Sequence, residues 1–384
     1  MAYRINTRLR DELVQYGGLD ANKCFNCGNC TAACGLSERE TIFPRRDIRS
    51  MQLGLEGRIE ESLDPWLCYY CGDCSDTCPR EAEPGELMMS MRRWLTARYD
   101  WTGISKLLYT NHIAEYAILV VLAALVMALF FVPGFGFPLL AEHPEAREHV
   151  MLQFFAPKHA VHYGDLIMAA VLSFFLATNV LRMWSKTMKS SGAGPGHYLG
   201  QLHELVIHAA TQKRWAACDG ERARFHWLRH VLLVTGYGTM LLLVVVFLTW
   251  FQIEDTAWHW TSIPGYYATL VLLGVTITMI TDRMAKKDQI HKYSHPSDWL
   301  FLALLLGTSV TGILLHAFRL ADLPMLTYCM YMLHLAIAVP MLLVEVPFGK
   351  WSHLAYRPMA MYLNKVKEAA ARDRVGATST AAAK

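Results

Sequence analysis

The fold is decided near the start of the chain, where residues 24–34 read CFNCGNCTAAC and residues 68–79 read CYYCGDCSDTCP. Both stretches have the spacing C-x2-C-x2-C-x3-C, and the second ends in proline. This spacing is typical of cubane [4Fe–4S] clusters, in which three thiolates of a run bind one cluster and the fourth binds the other. We therefore predict two [4Fe–4S] clusters in a small, helical, ferredoxin-like dicluster domain.

The spacing also predicts which cysteines share a cluster. Cluster 1 takes the first three cysteines of the first run and the last of the second, namely Cys24, Cys27, Cys30 and Cys78. Cluster 2 takes the remaining four, Cys68, Cys71, Cys74 and Cys34. Zinc is the alternative, but it needs only two C-x2-C pairs and leaves the other cysteines of each run unexplained. The two isolated residues, Cys218 and Cys329, are predicted to be ordinary small apolar side chains.

The composition predicts a membrane protein. Only 18% of the 384 residues are charged and 53% are hydrophobic, whereas an average soluble protein is about 25% charged. Six apolar segments are long enough to cross a bilayer, which takes about 20 residues each. They are residues 113–133, 159–183, 228–251, 263–282, 297–318 and 325–347. The net charge of +3 is too small to indicate a nucleic-acid partner.

The loop charges predict the orientation of these segments. Lysine and arginine are concentrated in the connections 184–227 and 283–296 and in the tail, whereas the connection 252–262 contains acids and no base. Since basic loops stay in the cytoplasm, both termini and the dicluster domain are expected on the cytoplasmic side of the inner membrane. The absence of an apolar signal-peptide core in the opening residues agrees with a reducing compartment.

The sequence thus predicts a mainly α-helical protein with three parts. Residues 1–110 form the cytoplasmic domain with the two clusters, residues 111–364 form a six-helix transmembrane b-type cytochrome bundle, and residues 365–384 form a disordered tail. Within the bundle, residues 198–217 are expected to form an amphipathic helix on the inner membrane surface.

Histidines at the ends of the apolar segments are the candidate haem ligands. His230 and His353 both lie on the inner side and can bind one iron from two helices. His226, one turn before His230, is a competing inner ligand. His334 lies 19 residues before His353, about 28 Å along a helix, and so belongs to the outer half of the membrane. It is either an axial ligand of a second haem, a satisfied buried histidine, or a proton-handling residue beside a quinone.

A second haem needs an outer partner for His334, and the spacing does not choose it. The candidates are at the outer ends of the apolar segments or on the same helix as His230, namely His159, His162, His316 and Met240. A quinone site is open between the inner surface near residues 198–217 and the outer surface near His162 and His316.

Two stretches of the chain, and their fusion, resemble known families. Residues 23–94, with KCFNCGNCTAAC, FPRRDIRSMQLGL and PWLCYYCGDCSDTCPRE, resemble the small iron–sulfur subunit of heterodisulfide reductases. Residues 225–363 resemble cytochrome b subunits of the heterodisulfide reductase and nitrate reductase gamma type, on RHVLLVTGYG at 229–238, on residues 298–319 and on residues 331–358. The fusion of both parts resembles the QmoC family, the membrane subunits of quinone-interacting membrane-bound oxidoreductase complexes.

The resemblance implies a function and a set of ligands. In the nitrate reductase gamma type, haem ligands fall at the positions of His230, His334 and His353. The fourth ligand position falls at Met240, where this chain departs from the family pattern. The QmoC family exchanges electrons with a quinone or menaquinone pool. Its partners are flavin- and iron–sulfur-containing subunits related to heterodisulfide reductase, connected to adenylylsulfate reductase in dissimilatory sulfur metabolism. Two haems b are therefore expected beside the two clusters.

Three functional hypotheses remain at this point. The first is a quinone-linked electron-transfer subunit, which is an oxidoreductase subunit active within a multi-subunit complex. The second is a heterodisulfide reductase-like or sulfite-reduction-associated membrane module with another redox partner. The third is a haem-free membrane iron–sulfur scaffold or sensor. The chain has no Walker A motif and no dinucleotide-binding fingerprint, so no nucleotide or flavin site is expected within it.

Overall fold

The structure is a computed structural model that describes residues 4–18, 21–37, 42–212 and 221–382, without the side chains of 221–223 and 376–382. The described part is mainly α-helical and contains no strand, which confirms the predicted fold class. The prediction for Cys218, and residues 213–220 of the basic connection 184–227, lie outside the described residues.

The N-terminal region consists of short helices around the two cysteine runs. Eight helices precede the first membrane segment: α1 (Leu9–Gln15), α2 (Asn29–Ala32), α3 (Arg45–Gln52), α4 (Glu56–Glu60), α5 (Asp64–Leu67), α6 (Asp73–Asp76), α7 (Pro84–Tyr99) and α8 (Ile104–Thr110). One turn of 3-10 helix covers Ala21–Lys23. The cysteine-rich helices α2 and α6 are single turns, so most of each ligand run is loop. Only α7 is long enough to act as a scaffold for both runs.

Six long helices confirm the six predicted membrane segments. Their most apolar parts are long enough to cross a bilayer. They are α9 (His112–Leu129), α12 (Lys158–Met188), α15 (Glu221–Val245), α17 (Ser262–Met284), α19 (Pro296–Leu320) and α20 (Pro324–Glu345). Local signals set their starts, since the Asn111 side chain accepts a hydrogen bond from the Ala114 amide at 3.1 Å and Pro296 and Pro324 open the last two of these helices.

Shorter helices fill the connections. On the side of the bundle away from the cysteine runs lie α10 (Phe137–Glu142), α11 (Glu145–Glu148) and α16 (Leu248–Phe251), with a 3-10 turn at Leu152–Phe154. On the other side lie α13 (Pro195–Gly200), α14 (Leu202–Thr211), α18 (Gln289–Lys292), a 3-10 turn at Lys350–Ser352 and the final helix α21 (His353–Ala382).

Two expectations differ from the structure. The described part of the predicted amphipathic helix 198–217 is divided into α13 and α14 at Gln201, whose φ of −101° and ψ of 4° depart from helical values. The second helix ends where Gln212 adopts a left-handed conformation (φ 51°). The tail predicted to be disordered from residue 365 instead continues α21. Val366 and Ala370 of this helix are buried, so the helix packs against the rest of the protein. An apolar position every four residues is the helical signal that composition alone concealed.

One hydrophobic core joins the N-terminal region to the bundle. It contains side chains of α1, α5 and α7 together with Met183 of α12 and Tyr356 of α21. The ring centroids of Trp66 and Tyr356 lie 4.8 Å apart, and the Arg182 guanidinium donates to the Tyr99 carbonyl at 2.8 Å. The cysteine runs are therefore held against one end of the helix bundle by packing as well as by hydrogen bonds.

A buried ion cluster lies at this junction. Asp298, at the start of α19, is 8% exposed. Its carboxylate lies 3.5 Å from the Arg93 guanidinium of α7 and 3.9 Å from the Arg283 guanidinium of α17, and it accepts a hydrogen bond from the Lys350 ammonium. One acid thus neutralises cations from three separate parts of the fold.

We expect Asp298→Ala to destabilise the protein by about 3–5 kcal/mol, because it leaves buried cations without their counter-charge. Thermal unfolding of the detergent-solubilised protein measures the effect as a lower midpoint. The matched control is Lys287→Ala, since the Lys287–Asp282 pair is 3.9 Å long and Lys287 is 67% exposed. That exposed pair is worth about 0–1 kcal/mol, and equal effects of the two substitutions would contradict the expectation.

Candidate metal centres and their surroundings

The four cysteines predicted for cluster 1 line one cavity. Its other lining residues come from the first run, from α3 and from the end of the second run; the full set is Cys24, Phe25, Asn26, Cys27, Gly28, Asn29, Cys30, Arg45, Cys78, Pro79, Arg80 and Pro84. All four thiols are free. The structure thus brings Cys78 of the second run to the first three cysteines of the first run.

The four cysteines predicted for cluster 2 line a second cavity. It is formed by Ala33, Cys34, Gly35, Leu36, Phe43, Pro44, Cys68, Tyr69, Tyr70, Cys71, Asp73, Cys74, Gly85 and Met88. No three His, Cys, Asp or Glu side chains within the described ranges converge as ligands of a single metal ion. Four thiols around a cavity are the donor set of a four-iron cluster, whose ligands surround it rather than meet at one point.

The two ligand loops have the same backbone conformation. Asn26 and Tyr70, each just before the second cysteine of its run, have φ of 60° and 58°. Gly28 and Gly72, each just after it, have φ of 98° and 96°. The amides of Asn26 and Tyr70 donate to the sulfurs of the first cysteines at 3.4 and 3.3 Å. Such N–H···S bonds to ligand sulfurs are one of the means by which a protein sets a cluster potential.

Burial makes these cavities unfavourable for an isolated thiolate. Loss of solvent raises the pKa of Cys34 and of Cys68 to about 11, and it also raises the pKa of Cys30 and Cys74. A thiolate there needs positive charge beside it, which bound iron supplies. The donor type, the number of donors and the enclosed space therefore fit an iron–sulfur cluster in each cavity.

Arg92 is the cation nearest the backbone of the second run. Its guanidinium donates to the Cys68 carbonyl and, at 2.5 Å, to the Pro65 carbonyl. Burial is the main reason that the pKa of Arg92 falls to about 9. The side chain fixes the end of α5 and places a positive charge beside the cavity of Cys68.

The two histidines predicted to bind the inner haem lie close together. The ring centroids of His230 on α15 and His353 on α21 lie 6.2 Å apart. Two imidazoles on opposite sides of one metal, each nitrogen about 2 Å from it, have a similar separation. The His353 Nδ1–H donates to the Lys350 carbonyl, which leaves Nε2 for a metal. Burial lowers the pKa of His353 to about 3, so the ring is neutral, the form that binds iron.

Two side chains connect the histidine pair with the cavity of cluster 2. Arg357 follows His353 by one helical turn, so both side chains project from the same face of α21. The Arg357 guanidinium lies 4.9 Å from the ring centroid of Tyr69, and Tyr69 follows the ligand candidate Cys68 in sequence. The route from the histidine pair to this cavity therefore passes through two side chains in contact.

His334 has the orientation of a metal ligand but no ligand partner in contact within the described part. Its Nδ1–H donates to Thr311 Oγ1 at 3.0 Å, and the Thr311 hydroxyl in turn donates to the Gly307 carbonyl at 2.7 Å. This relay fixes the ring and directs Nε2 away from the hydrogen bond of Nδ1. The ring lies against Gly312, where a Cβ would be 3.2 Å from Cε1.

The other candidate ligands make contacts with residues other than His334. His316 Nε2 is 2.5 Å from the Tyr266 hydroxyl on α17, so this ring is directed to another helix. His162 contacts the ring of its neighbour Tyr163. Among the described residues, no hydrogen bond or ring contact joins His162 or Met240 to His334. His226, the competing inner ligand, is engaged with the Arg229 guanidinium at 2.7 Å and with Asp288 at 3.7 Å.

Sequence reasoning missed three polar partners of the candidate ligands. The Cys68 carbonyl accepts from Arg92, and the His334 ring contacts Thr311. Arg357 lies one turn after His353 and contacts Tyr69, the neighbour of Cys68. Arg357 had a detectable signal, because it lies one turn after His353 in a helical pattern. Arg92 and Thr311 had none, since only the fold brings them to Cys68 and His334.

Comparison with known proteins assigns the N-terminal part. A family model described as a 4Fe-4S dicluster domain matches residues 20–82. A protein of Archaeoglobus profundus that is like the C subunit of heterodisulfide reductase is 28% identical over 96 residues, which are 25% of this chain and 51% of that protein. The C subunit of the ferredoxin:CoB-CoM heterodisulfide reductase of Methanosarcina acetivorans is 31% identical over 99 residues, which are 26% and 38%.

The similarity to these relatives covers a minor part of the chain. The iron–sulfur C subunit of the CoB–CoM heterodisulfide reductase of Methanopyrus kandleri is 36% identical over 62 residues, 16% of this chain and 32% of that protein. The chain thus spans about half the length, or less, of the curated relatives it matches. No solved structure matches. Residues 20–82 form an iron–sulfur electron-transfer domain like that of the heterodisulfide reductase C subunit, joined to six helices that can cross a membrane.

Proposed function

We propose that the chain is the membrane electron-transfer subunit of a quinone-interacting oxidoreductase of the QmoC type. It links a quinone or menaquinone pool, through haem b and two [4Fe–4S] clusters, to cytoplasmic flavin- and iron–sulfur-containing subunits. The observation that supports this most strongly is the pairing of His230 with His353 beside the cavity of Cys68. A haem site connected through Arg357 and Tyr69 to an iron–sulfur site would serve electron transfer between membrane and soluble parts.

In this proposal residues 1–110 hold the clusters and residues 111–364 form the cytochrome bundle of the inner membrane, with both termini in the cytoplasm. The eight cysteines are the cluster ligands in the crossed sets, His230 and His353 are the axial ligands of the inner haem, and His334 serves the outer haem. Bound haem and clusters supply one-electron transfer. The residues of the chain orient these groups: Lys350 and Thr311 fix the histidine rings, and Arg92 fixes the Cys68 loop.

The soluble partners in this proposal feed adenylylsulfate reductase in dissimilatory sulfur metabolism. A second candidate is a heterodisulfide-type partner, and it is favoured by the relatives named above, which are heterodisulfide reductase subunits. Both candidates need the same redox groups in this chain. Reconstitution of the purified protein with each class of flavoprotein, with reduction of the flavin as the readout, separates the two.

The spectrum of the purified protein tests the common part of the proposal. We expect a b-type alpha band in the dithionite-reduced minus oxidised spectrum and two haems per chain in a pyridine haemochrome assay. A menaquinol analogue should reduce the haem. One haem per chain would remove His334 from the ligands, whereas the absence of any alpha band would overturn the cytochrome assignment and favour a haem-free iron–sulfur scaffold.

A further inference from the structure

The two cysteine cavities differ in what covers them. The cavity of cluster 2 faces the helix bundle: Cys68 and Tyr69 are buried, and the Tyr70 hydroxyl donates to the Ile290 carbonyl of the connection between α17 and α19 at 3.2 Å. The cavity of cluster 1 is at the surface, where Cys27 is exposed and Phe25 is 68% exposed. The cavity of cluster 2 therefore lies between the cysteine loops and the helix bundle, whereas the cavity of cluster 1 presents an exposed aromatic ring and an exposed cysteine.

The rim of the exposed cavity carries positive charge. Arg45 and Arg80 are among its lining residues, and within the described part of the chain no carboxylate is. The Arg80 guanidinium lies 4.2 Å from the ring centroid of Phe25, and the Arg45 guanidinium donates to the Asn26 side chain. Among the described residues, the lining of the other cavity includes Asp73 and no lysine or arginine. Arg92 lies beside that cavity, but its guanidinium is engaged with the Cys68 and Pro65 carbonyls.

We propose that the cluster-1 face, defined as Phe25, Cys27, Arg45 and Arg80, is the docking surface for a soluble redox protein with an acidic rim around its electron-carrying group. The inference rests on the proposed function, since it assumes that Cys24, Cys27, Cys30 and Cys78 hold a cluster. It adds an order to the redox sites: the Cys68 cavity adjoins the histidine pair, and the Cys27 cavity adjoins the partner.

The chemistry of this face suits such a partner. An exposed aromatic ring with an arginine stacked on it is the type of side-chain pair that carries binding energy at the centre of an interface. Arginines on the rim attract an acidic surface, raise the association rate and orient the encounter. Burial of Phe25 by the partner would also exclude water from the exposed Cys27.

The test uses the full chain in detergent and a small acidic flavodoxin as the probe. Biolayer interferometry at low salt should detect a complex whose affinity falls as salt is raised, because the attraction is screened. We expect the double substitution Arg45→Glu and Arg80→Glu to weaken binding about tenfold, and Phe25→Ala to weaken it at all salt concentrations. The matched control is Arg58→Glu, an exposed arginine of the same region that lines neither cavity.

Each outcome bears on the proposal. Selective loss of binding in the Arg45/Arg80 and Phe25 variants supports it. No binding by the wild type, binding unaffected by salt, or equal weakening by Arg58→Glu overturns it. Iron content and the EPR spectrum of the reduced protein are measured on the same samples. Missing clusters in the wild type would refute the proposed function instead, so the two failures are distinguishable.

Discussion

The substitution His353→Ala is expected to abolish the signal of the inner haem while leaving both iron–sulfur clusters in place. The substitution removes one of two rings whose centroids are 6.2 Å apart, and an iron with one imidazole cannot keep the low-spin spectrum of two. The cysteine sets contain no residue of α21. Low-temperature EPR of the oxidised protein measures the haem, and EPR of the reduced protein measures the clusters.

His226→Ala is the matched control for this prediction. His226 lies one turn before His230 on α15, and its ring is engaged with Arg229 and Asp288 instead of His353. We expect this variant to keep its full haem content. If His353→Ala kept the low-spin signal, or if His226→Ala lost it, the inner haem would have to be assigned to other ligands.

Single cysteine substitutions should remove one cluster each, in a crossed pattern. Cys78→Ala is expected to lose the cluster of the Cys24 set, although Cys78 belongs to the second run in the sequence, because it lines the first cavity. Cys34→Ala is expected to lose the cluster of the Cys68 set for the same reason. Each change should lower the iron content from about eight to about four atoms per chain, apart from haem iron.

A reference substitution identifies which of the two clusters each variant has lost. Cys68→Ala marks the loss of cluster 2, so Cys34→Ala should give the same residual EPR spectrum and Cys78→Ala a different one. Cys329→Ala is the control, because this exposed cysteine on α20 lines neither cavity. If Cys34→Ala instead gave the residual spectrum of Cys24→Ala, the cysteines would be grouped by run and the crossed assignment would be wrong.

The parts of the fold that follow from local pattern could be predicted from the sequence. The six predicted apolar segments correspond to six helices in the structure. An apolar run of bilayer length has few alternatives to a helix. The pairing of His230 with His353 could be offered as a candidate because depth in a membrane can be counted along a helix at about 1.5 Å per residue. Both inferences depend on spacing along the chain alone.

Contacts between distant elements could not be predicted in this way. The ion cluster of Asp298 joins side chains from four elements, and the Thr311 hydroxyl reaches His334 from a neighbouring helix. The partner of His334 remained open in the sequence, and the structure directs His316 to Tyr266 instead. Such pairings depend on the rotation of each helix about its axis, which packing sets and apolar length does not.

The two matching ligand loops differ in how far their backbone conformation depends on contacts with the helix bundle. Asparagine accepts a left-handed backbone readily, and the side chain of Asn26 accepts a hydrogen bond from Arg45 in the same N-terminal region. Tyrosine resists it, and Tyr70 keeps φ at 58° while its hydroxyl is tied to the Ile290 carbonyl at 3.2 Å. That anchor exists only once α17 and α19 have brought their connection into place. The conformation of the Cys68 loop thus includes a contact with the helix bundle, whereas the side-chain contact of Asn26 in the Cys24 loop is made within the N-terminal region.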